Sequence, residues 1–302
     1  MPNTPNRVAV VGAGEIGSAL AYLIRKSGCV VELWDKDPAK VPNQKPLAEI
    51  IPGASAVILG VPSWAMRPAL ESLKPYLTAG TVVVSLAKGI EHGTRHTMDE
   101  VMFKSLPTGV APALLGGPML AEELMKDMVG VAVLATERQE SFDQVRALFS
   151  GAPFIRLEWS ADLRLTALLG VLKNIYSVGL GIVDGLKWGM NAQGWFTARA
   201  IREMDAIIME LHGVPDAVCG SSGVGDYIAT GFSPYSRNRE SGHEIVATGA
   251  CNLKSEGCVS LPSIIEMVGA RIPDFQILMT LNQVLYGKVD VKTAFERLLH
   301  AA

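Results

Sequence analysis

Residues Val8 to Ser27 read VAVVGAGEIGSALAYLIRKS: a short β-branched run, glycines at 12, 14 and 17, then a stretch of helical periodicity. Strand, glycine turn and helix in that order are the context in which a GxGxxG pattern marks a dinucleotide site. Gly12 would permit the tight turn, Gly14 would let a pyrophosphate approach the backbone, and Gly17 would let helix and strand pack closely. The free amides of the helix start would face the anion. A second strand, VVELW, ends at Trp34 and Asp35. A carboxylate there can accept hydrogen bonds from an adenosine ribose and disfavours the additional phosphate of NADP. NAD is therefore the expected preference and NADP remains possible, since Lys36 adjoins Asp35.

Outward from that turn, short apolar runs alternate with helical stretches as far as Leu157. The runs are RVAVV, VVELW, AVILGV, TVVVSLA, VAVLA and FIRL; between them lie IGSALAYLIRKS, WAMRPALESLKPYL, GTRHTMDEVMF and SFDQVRALF. Continuous apolar strands separated by amphipathic helices predict a parallel sheet covered on both faces. After Trp159 only long helical periodicities remain. The expected architecture is an α/β, Rossmann-like doubly wound sheet over residues 1–159, the dinucleotide-binding domain, followed by an all-α substrate and catalytic domain over 160–302.

Composition narrows the function. A chain of 302 residues that is 49% hydrophobic can bury two cores. Its 27 basic and 30 acidic residues nearly cancel and are scattered, which excludes the basic field that nucleic-acid binding needs. Cys29, Cys219, Cys251 and Cys258 show no CxxC spacing and no histidine at zinc-finger distance, so reduced thiols and no metal are expected. The histidines, His92, His96, His212, His243 and His300, form no ligand spacing either. Met98, Met102, Met204 and Met209 fall at helical spacing and read as core filler. The first residues lack the features of a secretory signal, so a cytoplasmic location is expected. Leu163 to Val183 is long enough to span a membrane, but Lys173 and Asn174 lie at its centre. A lysine there costs about 2.5–3.5 kcal/mol, so a buried domain helix is the simpler reading.

Several blocks carry a resemblance: VVGAGEIGSALA, VPS at Val61 to Ser63, SLAKGIE at Ser85 to Glu91, GGPMLAEEL at Gly116 to Leu124, and LKNIYSVGLGIVDGLKWGMNAQ from Leu172. GVGDYIATGFSPYSRNRESG at Gly223 to Gly242 and SEG at Ser255 to Gly257 complete the series. In this order, and across nearly its whole length, the chain resembles the bacterial NAD(P)-dependent glycerol-3-phosphate dehydrogenase family. The LKN, GVGD and SRNR blocks are specific to it. The resemblance implies interconversion of dihydroxyacetone phosphate and sn-glycerol 3-phosphate, a step of glycerophospholipid metabolism, with a homodimer as one possible assembly.

The resemblance assigns roles residue by residue. Lys173 would exchange the proton at the substrate's carbinol oxygen, where hydride delivery leaves alkoxide charge. Asp226 would sit beside it and favour its charged form. Arg237 would clamp the substrate phosphate, with Asn174, Ser236, Asn238 and Thr230 adding neutral donors. Lys88, at a strand end, would touch the substrate, join the catalytic group and lie close to the nicotinamide. Gly117 would keep the backbone near the substrate, and Ala121, Glu256 and Arg237 would reach the cofactor. Gly12, Gly14, Glu15, Ile16, Gly17, Trp34 and Asp35 complete the cofactor set.

Two departures stand out. Glu15 and Ile16 replace the family's small residue and aromatic; a carboxylate aimed at a pyrophosphate would repel it, so Glu15 would turn to solvent or weaken the site. The stretch from Asp37 to Val57 is short, which would open the adenosine pocket. A related dehydrogenase acting on another small anionic keto-substrate, and a catalytically idle dinucleotide-binding protein, are the alternatives.

Overall fold

The computed structural model describes residues 6–301. It divides into two compact units, one formed by the described residues up to Glu91 together with His96–Ala167, the other by His92–Arg95 and the chain from Leu168 onward.

The first unit runs β1 (Arg7–Val11), α1 (Glu15–Lys26), β2 (Val30–Trp34), α2 (Leu47–Ile50), β3 (Ala56–Leu59), α3 (Met66–Leu73), β4 (Val82–Ser85), α4 (Met98–Ser105), β5 (Ala111–Gly116), α5 (Ala121–Leu124), β6 (Gly130–Ala135), α6 (Gln139–Ala147) and β7 (Ile155–Ser160). The strands form one seven-stranded sheet in the order β2-β1-β3-β4-β5-β6-β7. Side chains alternate across it, so Val8 and Val10 enter one core with Leu20, Ile24, Ile58 and Val84, while Ala9 and Val11 enter the other with Val57, Leu59, Leu70 and Met102. Two buried faces explain why β1, β3 and β4 read as unbroken apolar runs. Each fully buried Val, Leu or Ile adds about 1.5–3 kcal/mol against the entropy of ordering the chain.

The sheet departs from the all-parallel expectation at one pair. β5 and β6 are antiparallel, with Leu114 opposite Ala135 and Leu115 opposite Leu134, because the four-residue α5 between them is too short to carry the chain back along the sheet. β5 itself, APALLG, falls outside the apolar runs that predict strands. The stretch GTRHTMDEVMF is also helical only from Met98. Gly93 and Arg95 have positive φ, and Thr97 begins the helix with a capping box closed by Glu100.

The second unit is helical throughout its described residues: α7 (Leu163–Gly185, whose first turn belongs to the first unit), α8 (Met190–Leu211), α9 (Asp226–Phe232), α10 (Arg237–Thr248), α11 (Glu256–Val268), α12 (Gln276–Leu285) and α13 (Val291–His300). α7 is long and apolar enough to cross a membrane, yet the whole of its apolar window is buried inside the protein. A π-type turn at Ser221–Gly225, with the Gly225 amide bonded to the Gly220 carbonyl at 3.2 Å, leads into α9. Met98, Met102 and Met204 are core residues as expected, but Met209 is 44% exposed, since it falls on the outer face of α8.

Candidate active site

The glycine turn separates into glycines that the fold requires and one that it does not. Gly12 has φ +105°, and a Cβ there would meet the Gly60 carbonyl oxygen at 2.6 Å; a Cβ at Gly17 would collide with the Gly12 carbonyl. These two glycines let α1 close onto the ends of β1 and β3, as does Gly60, which the sequence pattern did not single out. Gly14 is different: its backbone is extended, and a Cβ would meet nothing within 4 Å. Gly14, at the N-cap of α1, has no side chain to cap the first turn. Open backbone in front of an uncapped helix start fits a pyrophosphate. Glu15 is exposed and Ile16 packs against the core beneath the turn, so the carboxylate meets solvent.

Asp35 is buried at the end of β2 and is already engaged. Its carboxylate accepts the Ala13 amide at 2.8 Å and the Asp37 amide at 2.9 Å, and Lys40 stands 3.6 Å away. Gln44 brackets the same residue, accepting from its amide and donating to its carbonyl, both at 2.8 Å. Asp35 thus braces the glycine turn, and the cation paired with it is Lys40, not Lys36. Trp34 supplies the carbonyl that accepts the Gly12 amide at 2.8 Å. Neither Lys40 nor Gln44 could be singled out from sequence, because the loop geometry that returns them to β2 has no periodic signal.

Lys88, just beyond β4, donates to the Gly117 carbonyl at 3.4 Å. Gly117 has φ +96°, and a Cβ there would strike the Val131 carbonyl at 2.7 Å, so backbone crowding alone requires glycine. Ala121, the first residue of α5, is buried in the core.

In the second unit, Lys173 is buried at the middle of α7, 5% exposed. Its ammonium donates to Asp226 Oδ1 at 3.0 Å and to Thr230 Oγ1 at 2.7 Å, and Thr230 donates to the same carboxylate oxygen at 3.1 Å. Asp226 and Thr230 are four residues apart on α9, so one face presents both. Next along α7, Asn174 accepts from Asn238 Nδ2 at 2.8 Å, and Asn238 Oδ1 accepts the Gly257 amide at 2.9 Å. Glycine makes this convergence possible. A Cβ at Gly257 would collide with the Asn174 carbonyl, and one at Gly242 with the Val178 carbonyl, so α11 and α10 approach α7 backbone to backbone.

Ser236 caps α10, accepting the Arg239 amide at 3.3 Å; Arg237, its first residue, is exposed. Glu256 opens α11 and is partly buried. A residue missed from sequence is Asp184, at the end of α7, which accepts from Arg239 at 2.5 Å, lies 2.6 Å from His243 Nε2, and accepts from Gln193 at 2.8 Å. Burial pushes its carboxyl up, but the His243 hydrogen bond and the Arg239 charge outweigh that and hold it below the ordinary carboxylate value. Its spacing from Lys173, close to three helical turns, puts both on one face of α7, but its partners lie on α10, out of reach of any local pattern.

A doubly wound sheet opening on an uncapped glycine turn, together with a helical unit that buries a lysine–carboxylate pair, defines a dinucleotide-dependent dehydrogenase of two-unit construction. The chain belongs to the NAD-dependent glycerol-3-phosphate dehydrogenase family: residues 38–142 match its N-terminal family model and residues 162–296 its C-terminal one. It is 32% identical to glycerol-3-phosphate dehydrogenase [NAD(P)+] of Azorhizobium caulinodans over 97% of this chain and 96% of that protein. It is 34% identical to the protein of the same description from Pelotomaculum thermopropionicum, over 79% and 75% of the two chains. The crystal structure of glycerol-3-phosphate dehydrogenase from Coxiella burnetii superposes with a TM-score of 0.86 at 25% identity, covering 98% of this chain and 99% of that one.

Proposed function

We propose that this protein interconverts dihydroxyacetone phosphate and sn-glycerol 3-phosphate with NAD(P)H, residues 1–159 binding the dinucleotide and 160–302 the substrate. The observation that carries the reading is the buried triangle of Lys173, Asp226 and Thr230 beside the Asn174–Asn238 pair. A lysine ion-paired with a carboxylate, away from water, is suited to stabilise an alkoxide and to give or take its proton.

The bound nicotinamide supplies the hydride. The chain's own residues do the rest: Lys173 holds the proton at the carbinol oxygen, Asp226 and Thr230 fix the direction of its ammonium, and Arg237 with Ser236, Asn238 and Asn174 takes the phosphate. Lys88 and Gly117 stand as a further substrate contact, with Lys88 close to the reacting carbon. Gly12, Gly14, Glu15, Ile16, Gly17, Trp34, Asp35, Ala121, Arg237 and Glu256 form the proposed cofactor contacts, with Asp35 favouring NAD over NADP. A cytoplasmic homodimer completes the reading, checked by solution mass and cell fractionation.

The test is loss of reduced-nicotinamide absorbance at about 340 nm with dihydroxyacetone phosphate as substrate. Turnover with another small anionic keto-substrate, and none with this one, would replace the substrate while keeping the class. Nucleotide binding with no turnover on any such substrate would leave an idle binding protein.

A further inference from the structure

Two cysteines bracket the segment that brings Gly257 to Asn238. Cys251 lies half-buried in the loop after α10, and Cys258 is buried in the first turn of α11. Their Sγ atoms are 2.6 Å apart, closer than sulfurs in ordinary contact. The loop between them is held from outside, Glu244 accepting the Asn252 and Leu253 amides at 3.0 and 2.9 Å, while Tyr286 donates to the Cys258 carbonyl at 3.0 Å. The two thiols are therefore presented to each other by a folded segment and need no large backbone movement to bond.

We propose that Cys251 and Cys258 form a reversible oxidation site, converted by a peroxide into an intramolecular disulfide that staples the loop to the first turn of α11. The hydrogen bond between the sulfurs holds the Cys251 thiol below its ordinary value, and the same bond together with burial pushes Cys258 up, so Cys251 is the attacking thiolate. Its sulfur attacks one peroxide oxygen and breaks the O–O bond, giving a sulfenic acid and releasing hydroxide, which is protonated to water. Cys258 then loses its proton and attacks that sulfur, expelling the hydroxyl as a second water. Two thiols lose two electrons and two protons, and one peroxide becomes two waters. A dithiol reductant reverses the change.

The full chain is treated with a small excess of hydrogen peroxide, alkylated, digested with trypsin and analysed by mass. Because Lys254 lies between the cysteines, the disulfide joins two tryptic peptides. The expected product is that linked pair, lighter by two hydrogens, with Cys29 and Cys219 still alkylated and all four thiols recovered after dithiothreitol. In Cys258→Ser the Cys251 sulfenic acid should persist and be trapped by a 1,3-diketone; in Cys251→Ser, Cys258 should stay alkylatable. Full alkylation of both cysteines after peroxide, linkage of either to Cys219 or to a second copy, or oxidation of Cys258 unaffected by Cys251→Ser would overturn the proposal.

Discussion

Arg239 Nη2 lies 2.5 Å from Asp184 Oδ2, whereas Arg237, two residues earlier on the same helix, is exposed at its start. Arg239 of the SRNR block is half-buried in that ion pair, and Arg237 is an exposed residue at the helix N-terminus. Arg237→Ala should therefore raise the KM for dihydroxyacetone phosphate while leaving the melting temperature nearly unchanged. Loss of a charge-assisted contact worth about 1.5–3 kcal/mol corresponds to roughly a tenfold to hundredfold drop in kcat/KM. Arg239→Ala should do the reverse, lowering the melting temperature with the smaller change in KM. Equal kinetic defects in both variants would show that the phosphate is held elsewhere.

Lys173→Ala should cost at least about a hundredfold to ten-thousandfold in kcat, the range for a general acid, while NADH affinity measured by fluorescence stays close to that of the parent. Removing the lysine leaves Asp226 buried without its cation, so a loss of stability of about 3–5 kcal/mol is also expected. Thr230→Val keeps the ion pair and removes two hydrogen bonds, the one accepted from Lys173 and the one donated to Asp226, and should reduce kcat only modestly. A folded Lys173→Ala protein with most of its turnover would take the lysine out of the chemistry.

The glycines of the dinucleotide turn should respond in opposite ways. Gly14→Ala places a methyl in open space on an extended backbone, so folding should be unaffected and NADH binding weakened. Gly17→Ala drives a methyl into the Gly12 carbonyl, so the loss should appear first in thermal stability. Calorimetry and nucleotide titration on both variants separate the effects; unchanged NADH affinity in Gly14→Ala would mean that the anion does not lie against this residue.

Asp35→Ala should shift the ratio of catalytic efficiencies from NADH toward NADPH. It should also raise the KM for both, because the same carboxylate accepts the Ala13 and Asp37 amides. Lys40→Ala removes the paired cation and should sharpen the NADH preference. A parent enzyme that prefers NADPH, or an unchanged ratio in Asp35→Ala, would show that Asp35 braces the turn without reading the ribose.

Asp184 gives a pH dependence with a definite sign. A carboxyl held below its ordinary value adds stability at every pH above its unfolded pKa, about 3.9, and loses it as pH falls through the lower folded value. Asp184→Asn should lower the urea midpoint at pH 7 by an amount equivalent to about 1–2 kcal/mol, modest because both partners keep some contact with water. The gap between parent and variant should narrow below about pH 4. A gap as large at pH 3 as at pH 7 would contradict the assignment.

Sequence revealed most where chemistry and backbone geometry share a residue. The turn at Gly12 and Gly17 was legible because a crowded crossing admits only glycine, and Lys173 stood out through the LKN block that carries the resemblance, at the centre of an otherwise apolar helix. Strand β5 was not, since Pro112 and two alanines weaken its β-branched signature. The Asp184–Arg239–His243 cluster joins residues more than fifty positions apart, and no local periodicity reports such a pairing. Lys40 and Gln44 return to Asp35 through a loop whose path is set by its contacts alone.

The π-type turn at Ser221–Gly225 fixes the rotational phase of α9. Asp226 and Thr230 meet Lys173 only because α9 begins at one angle about its axis, and each helical residue advances that angle by about 100°. Deleting a single residue from this turn would carry both side chains roughly a quarter-turn or more away from the ammonium, whatever residue was removed. The stretch before Asp226 can therefore vary in side chains far more readily than in length.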